Sequence, residues 1–151
     1  MSSDATMLSE SSTRPDPGPL LLLAPLSGVV VPLEQVPDAA FAQRLVGDGV
    51  SIDPTSDRVL APCDARVLQV HRAHHAVTLL SHGLEIIIHV GLDTVMLRGE
   101  GFSALVSEGD NVRTGEALLA FDADLVARRA RSLLTAVHIS NVDRITKLEM
   151  S

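Results

Sequence analysis

From Leu20 to Phe121 the chain is a succession of short β-branched and leucine-rich runs, each closed by a cluster of Gly, Pro, Asp or Ser. Turn-forming residues recur too often for long helices, so the pattern specifies many short strands. The core they build is aliphatic. Of 151 residues 46% are hydrophobic, yet only three are Phe and none is Trp or Tyr. A chain of this length buries one substantial core, which fits one domain. The stretch from Ser107 to Leu119 alternates a tight turn, a short strand and a second turn, as compact sandwich and barrel hybrids do. The expected fold is all-β, an antiparallel β-sandwich/barrel hybrid with one or two short helices.

Two helix starts are visible. Asp38 is placed to cap a short helix that carries Phe41 and ends at Gly47-Asp48-Gly49. Asp122-Ala123-Asp124 precedes a second, in which Val126, Ala130, Leu133 and Leu134 recur at i, i+4, i+7 and i+8. Arg128, Arg129 and Arg131 fall off that stripe and read as a solvated face suited to the negative helix end. Residues 1–19, rich in Ser, Asp, Thr and Pro, are expected to form a disordered tail, leaving 20–151 as a single domain.

Several function classes lose support at once. The formal charge of −7 argues against nucleic acid and favours a positively charged protein partner. The single cysteine, Cys63, excludes an internal disulfide, fits a reducing compartment, and reads as a buried strand-end residue rather than a catalytic thiol. The longest apolar stretch, Leu20 to Leu26, contains Pro25 and is too short for a bilayer, and no basic segment of a secretory signal precedes it. A cytoplasmic location is the expectation. No phosphate-cradling glycine loop, Gly-x-Ser-x-Gly elbow or Cys-x-x-Cys pair is present, so nucleotide use and serine hydrolysis have no local signal.

The chemistry concentrates in two histidines. His75, in Ala73-His74-His75-Ala76-Val77, and His89, in Ile86-Ile87-Ile88-His89-Val90-Gly91, lie in apolar runs separated by Ser81-His82-Gly83. If the runs form a hairpin, a two-residue loop pairs Ala76 with His89 and sends the histidines to opposite faces. A three-residue loop pairs His75 with His89 directly, and that is the register a two-histidine site requires. Taken alone, they also fit as two unrelated strand histidines. A zinc hydrolase using His71, His74, His75 and Asp93 lacks a His-x-His to complete its ligand set. A biotinyl- or lipoyl-type carrier, which the Glu108-Gly109-Asp110 turn brings to mind, needs a lysine in a central hairpin, and the only lysine is Lys147. A histidine phosphocarrier needs only a neutral, nucleophilic imidazole and a second donor beside it.

The sequence resembles enzyme IIA of the glucose family of the bacterial sugar phosphotransferase system. The likeness runs from about Ala24 to Asp143. It rests on Ala24-Pro25-Leu26-Ser27-Gly28, Val36-Pro37-Asp38-x-x-Phe41-Ala42, Val46-Gly47-Asp48-Gly49, His75-Ala76, His89-x-Gly91-Leu92-Asp93-Thr94-Val95, Gly99-Glu100-Gly101-Phe102 and Ile139-Ser140-Asn141. The resemblance implies that His89 accepts the phosphoryl group and His75 assists. It implies an antiparallel sandwich whose site is a shallow depression rimmed by Ala39, Ala40, Phe41, Leu45, Val46 and Val95, with Asp38 and Asp93 meeting an arginine of the partner. That partner is the histidine phosphocarrier protein, and the recipient is a cysteine of enzyme IIB in a sugar permease, so the membrane is met only through the permease. No cofactor, nucleic acid or direct sugar binding is implied. A zinc ion captured by His75 and His89 would be adventitious. The readings outside this class are a regulatory module docking transporters or kinases, and a zinc-binding protein. Two departures stand out: Ala73 replaces the family's usual threonine, leaving His71 and His74 as neighbours to compensate, and the hairpin loop is about one residue short. The family commonly continues beyond Ile139-Ser140-Asn141 into further strands, so ending at Ser151 implies a trimmed sheet edge or a module of a longer phosphotransferase.

Overall fold

A computed structural model describes residues 4–9, 19–43, 47–141 and 145–150, with side chains described for 20–43 and 47–141. Strands are numbered in chain order. The first sheet element, β1 (Asp4–Ser9), lies between β2 (Pro19–Leu23) and β13 (Ile145–Met150). The central sheet has seven strands in the order β10 (Asn111–Val112), β6 (Ala65–Val70), β7 (Ala76–Ser81), β8 (Leu84–His89), β12 (Thr135–Ile139), β4 (Asp48–Pro54) and β3 (Gly28–Val31). A third sheet joins β5 (Arg58–Leu60), β11 (Ala117–Phe121) and β9 (Phe102–Ala104). Every pairing among the described residues is antiparallel.

Alternation along β7 and β8 explains how the seven-stranded sheet closes on the sheet of β5, β11 and β9. Val77, Leu79, Leu84, Ile86 and Ile88 face inward and are essentially fully buried, in one cluster with Val59, Leu118, Leu119 and Phe121 of the smaller sheet. Each such side chain withdrawn from water contributes roughly 1.5–3 kcal/mol. The residues between them, Thr78, Ile87 and His89, stay half-buried on the outer face, and that face is left to the site.

The helices are shorter than the sequence patterns. In α1 (Ala39–Ala42) the carboxylate of Asp38 accepts from the Ala40 N–H at 2.9 Å, the expected N-cap. In α2 (Ala123–Arg129) Asp122 caps the Leu125 N–H at 3.1 Å, but the helix stops before Leu133 and Leu134. The cause is a competing pairing: Ser132 accepts from the Leu92 N–H at 2.9 Å and Arg131 donates to the Leu92 carbonyl at 3.2 Å. Cys63 is buried, and burial raises its thiol pKa, which suits a packing role.

Strand β1 corrects the expectation that all of 1–19 is a tail. Asp4–Ser9 contains neither Pro nor Gly, so its backbone can serve both neighbours, pairing Asp4 with Leu23 and Ala5 with Met150. Residues 1–3 and 10–18 of that segment lie outside those described. At the other end of the chain's matched motifs, Asn141 accepts from the Glu85 N–H at 2.9 Å and donates to the Gly83 carbonyl at 2.8 Å, while the Ser140 N–H reaches the Glu85 carbonyl at 3.0 Å. Ile139-Ser140-Asn141 thereby clamps the closed end of the β7–β8 hairpin.

Candidate functional site

The hairpin register differs from the one expected for a two-histidine site. Ala76 pairs with His89 and Ser81 with Leu84, so the connection is the two-residue turn His82-Gly83. Both residues have positive φ, 52° and 78°, the conformation that matches the twist of a two-residue hairpin. Extended without interruption, this register would separate the two histidines. They meet nevertheless, with ring centroids 4.8 Å apart and planes at 81°.

The reason is that β7 starts only at Ala76. Residues 71–74 form a tight turn in which the His74 N–H reaches the His71 carbonyl at 2.8 Å and His74 has φ 59°. Alternation governs side chains only while the backbone is extended, so the turn frees His75 from it. The backbone still registers with the partner strand, since the Val90 N–H donates to the His75 carbonyl at 2.8 Å. The same turn brings His71 against His75, with centroids 4.3 Å apart. The Nδ1 of His71 accepts from the Ala73 N–H at 3.1 Å.

His89 is held at the end of β8 by a main-chain bond. Its Nδ1 lies 2.9 Å from the Gly91 carbonyl oxygen. A carbonyl can only accept, so Nδ1 carries the proton and a neutral ring has its lone pair on Nε2. Glycine is required at 91 for two reasons. Its φ is +73°, and a Cβ there would lie 2.6 Å from Thr94 Cγ2 and 2.8 Å from the Ser132 carbonyl oxygen. The space it leaves is therefore taken by the Thr94 turn rather than by the histidine ring. Thr94 is itself anchored, its hydroxyl donating to the Val90 carbonyl at 2.7 Å.

Burial sets the protonation of both rings. His75 is 2% exposed and its Nδ1 has no hydrogen-bond partner among the described residues. Desolvation, with the neighbouring His89 and His71 adding to it, pulls its pKa down to about 3. Desolvation also lowers the pKa of His89, opposed in part by the Gly91 carbonyl and the Asp38 carboxylate. Both imidazoles are thus neutral at cellular pH.

His89 opens onto a depression of about 370 Å³ on the outer sheet face, lined also by Phe41, Gln69, His71, Ala76, Thr78, Ile87 and His138. A larger depression of about 740 Å³, lined by residues such as Leu26, Arg58 and Ala61, shares no residue with it and holds no histidine. Phe41 differs from its expected place on an exposed rim. It is buried, 8% exposed, with Leu33, Val36, Leu92 and Ala136, and its ring packs edge-on against His89 at 5.4 Å and His138 at 5.5 Å. The physical cause is that α1 lies over the outer face of the sheet and turns its one aromatic inward.

The other expected rim residues divide. Ala39, Asp93 and Val95 are exposed, Asp38 and Ala40 are half-buried, and Leu45 and Val46 lie outside the described residues. Val95 and its neighbour Met96, 48% and 77% exposed, form an apolar edge on the turn that follows His89. Met96 and His138 belong to the site region without having been singled out for it, whereas His71, named as a neighbour able to compensate for Ala73, lines the depression. The signal for His138 was the strand pairing: it stands opposite Ile87 and so shares the face of His89. Among the described residues, no three His, Cys, Asp or Glu side chains are grouped to hold a metal ion, and no helix is long and apolar enough to cross a membrane.

Known proteins share both the sequence and the fold. A family model described as phosphoenolpyruvate-dependent sugar phosphotransferase system, EIIA 1, matches residues 20–145. The PTS system glucose-specific EIIA component of Halalkalibacterium halodurans is 45% identical over 130 residues, covering 85% of this chain and 75% of that protein. The PTS system N-acetylglucosamine-specific EIICBA component of Klebsiella pneumoniae is 44% identical over 128 residues, 84% of this chain but only 20% of that longer protein. Glucose permease IIA from Mycoplasma capricolum superimposes with a TM-score of 0.76 at 29% identity, over 91% of this chain and 80% of that one. With nearly the whole described domain matched, the chain belongs to the EIIA family of the phosphoenolpyruvate-dependent sugar phosphotransferase system and is a phosphoryl-carrying component of sugar uptake.

Proposed function

We propose that the chain accepts a phosphoryl group on Nε2 of His89 from the phosphorylated histidine phosphocarrier protein and passes it to a cysteine of an enzyme IIB domain in a sugar permease. The observation that carries this reading is the pairing of the Nδ1–H of His89 with the Gly91 carbonyl, beside a second, neutral imidazole. The Nε2 lone pair attacks phosphorus as the donor's P–N bond breaks, and that bond's electron pair returns to the donor imidazole. The positive charge that appears on the His89 ring is offset through Nδ1–H by the carbonyl dipole. With Nδ1 of His75 sealed in the interior, its Nε2 is the nitrogen left to donate to the phosphoryl oxygens. In the onward step a cysteine thiolate attacks phosphorus and the N–P pair returns to His89.

The proposed donor docks over the depression, against Ala39, Ala40, Val95 and Met96, with Asp38 and Asp93 receiving a cationic side chain. The relay occurs in the cytoplasm and binds no sugar itself; the relatives named for glucose point to a permease of that class. EIICBA relatives that hold the A, B and C parts in one chain support enzyme IIB as the recipient. The test is incubation with phosphorylated histidine phosphocarrier protein. An acid-labile, base-stable phosphate should appear on the protein and be lost in His89→Gln; labelling that persists in the variant overturns the assignment. Replacing Asp38 and Asp93 together by Asn should flatten the salt dependence of the association rate, and an unchanged slope removes them from the docking surface.

A further inference from the structure

His71 has no part in the reaction just described, yet its geometry is that of a ligand-binding group. Its ring lines the same depression as His89 and packs against His75, with centroids 4.3 Å apart and planes tilted by 59°. Its Nδ1 is occupied as an acceptor by the Ala73 N–H at 3.1 Å. An imidazole accepting at Nδ1 carries its proton on Nε2, so the ring presents a fixed N–H donor, with its tautomer set by the backbone of its own turn. That turn is closed on both sides, by His74 N–H to the His71 carbonyl at 2.8 Å and by His71 N–H to the Ala76 carbonyl at 2.9 Å. The donor is therefore preorganised, and a preorganised donor near developing charge costs no reorganisation at the moment of transfer.

A phosphoryl group seated on His89 has three peripheral oxygens and about two negative charges. His75, neutral and with one ring nitrogen sealed away, can offer it a single hydrogen bond. At least two oxygens are then left for other donors. Of the residues around the depression, Phe41, Ala76 and Ile87 have no polar side-chain atom; of the polar ones, Gln69, Thr78, His138 and His71, it is His71 whose ring packs against His75 and whose donor nitrogen is fixed by its own turn. We propose that His71 is a third imidazole of the phosphoryl site, whose Nε2–H donates to an oxygen of the group carried by His89 and so stabilises the phosphorylated protein. The assignment rests on His89 being the acceptor. It makes the site a row of three rings in which one is the carrier and two hold the charge.

The test compares the intact protein with His71→Asn and His71→Phe. Asn retains a side-chain acceptor for the Ala73 N–H in an Asx-type turn but withdraws the donor from the depression; Phe keeps the ring packing and removes both nitrogens. Each is equilibrated with phosphorylated histidine phosphocarrier protein at fixed concentrations, and the phosphorylated fraction is measured. Both variants should shift the phosphoryl equilibrium about tenfold toward the phosphocarrier while keeping a folded amide spectrum. In the intact protein labelled with ¹⁵N-histidine, the His71 Nε2–H should shift and exchange at least tenfold more slowly with water once the protein is phosphorylated, a change that turn stability alone would not produce. An equilibrium that moves less than twofold in both variants, or an Nε2–H unaffected by phosphorylation, overturns the role of His71. If the intact protein takes no phosphate, or His89→Gln is labelled equally, the reading of His89 falls and this inference falls with it.

Discussion

The β7–β8 hairpin has a histidine at each end, and the two ends put the same ring to different use. At the closed end His82 takes φ 52° in a two-residue turn, its Nδ1 3.0 Å from the Ser81 hydroxyl, which in turn donates to the Asp64 carbonyl at 2.9 Å. Here the local backbone fixes everything, and Asn would do as well as His. At the open end neither His75 nor His89 is needed by the backbone. The strands stop, two positive-φ residues, His74 and Gly91, divert the chain, and the rings of His71, His75, His89 and Phe41 pack together where alternation has lapsed. Regular strand geometry builds the scaffold, and the site occupies the point at which that geometry ends.

If the contrast is right, substitutions at the two ends should differ in kind. His89→Gln is expected to abolish phosphate acceptance, whereas His82→Asn should leave acceptance intact and change stability by no more than about 0.5 kcal/mol. Equal loss in both, measured by labelling and by urea unfolding, would erase the distinction. His75→Gln should still accept phosphate but hand it to enzyme IIB roughly 10²–10³-fold more slowly, the usual cost of losing one preorganised donor to a transferring group; rapid-quench transfer would show it. Onward transfer at the full rate would make His75 a packing residue.

Acid should also discriminate. His75 titrates at about 3 in the folded protein but near ~6.5 when unfolded. Between those values the unfolded chain holds the extra proton. Stability is therefore complete above about pH 6.5 and declines as the pH falls toward 3, by roughly 3 kcal/mol at pH 4 from this ring alone. His75→Gln should lack that share of the decline, as unfolding curves across the range would report, whereas His82→Asn should keep it. An acid limb identical in His75→Gln and the parent would contradict the neutral, desolvated ring.

Phe41→Ala comes next in size. Because the ring is buried against His89 and His138, truncation should cost roughly 3 kcal/mol of stability and weaken docking as well. Weakened docking with an unchanged melting temperature would restore Phe41 to an exposed rim.

Much of this was readable before any coordinates. The aliphatic runs gave the all-antiparallel architecture, and Asp38 and Asp122 marked both helix starts, since caps act within three residues. The motif around His89 marked a residue that opens onto the depression of the outer sheet face. What escaped was set by longer-range competition. Helix α2 ends early because Leu92, some forty residues earlier, claims the backbone of Arg131 and Ser132. The hairpin register was misread because proximity of His75 and His89 was assumed to need direct pairing, when a turn before β7 provides it. Strand β1 was hidden in a polar composition because its partners, β2 and β13, lie at opposite ends of the chain. His138 and Met96 were invisible for the same reason: their place depends on which strand or turn lies beside them.

The bond between His89 and the Gly91 carbonyl has a consequence for how this site tolerates mutation. In sites where an aspartate or a serine orients the reactive imidazole, one codon change removes the orienting group. Here the orienting atom is part of the peptide chain, so it is displaced only when the backbone itself moves, as a side chain at position 91 would force it to. For the phosphoryl acceptor proposed above, the choice of nitrogen is thus heritable in the shape of the loop rather than in the identity of a side chain. Variation can reach it only by bending the backbone, and the crowding around Gly91 by Thr94 and Ser132 makes such bending the change least compatible with folding.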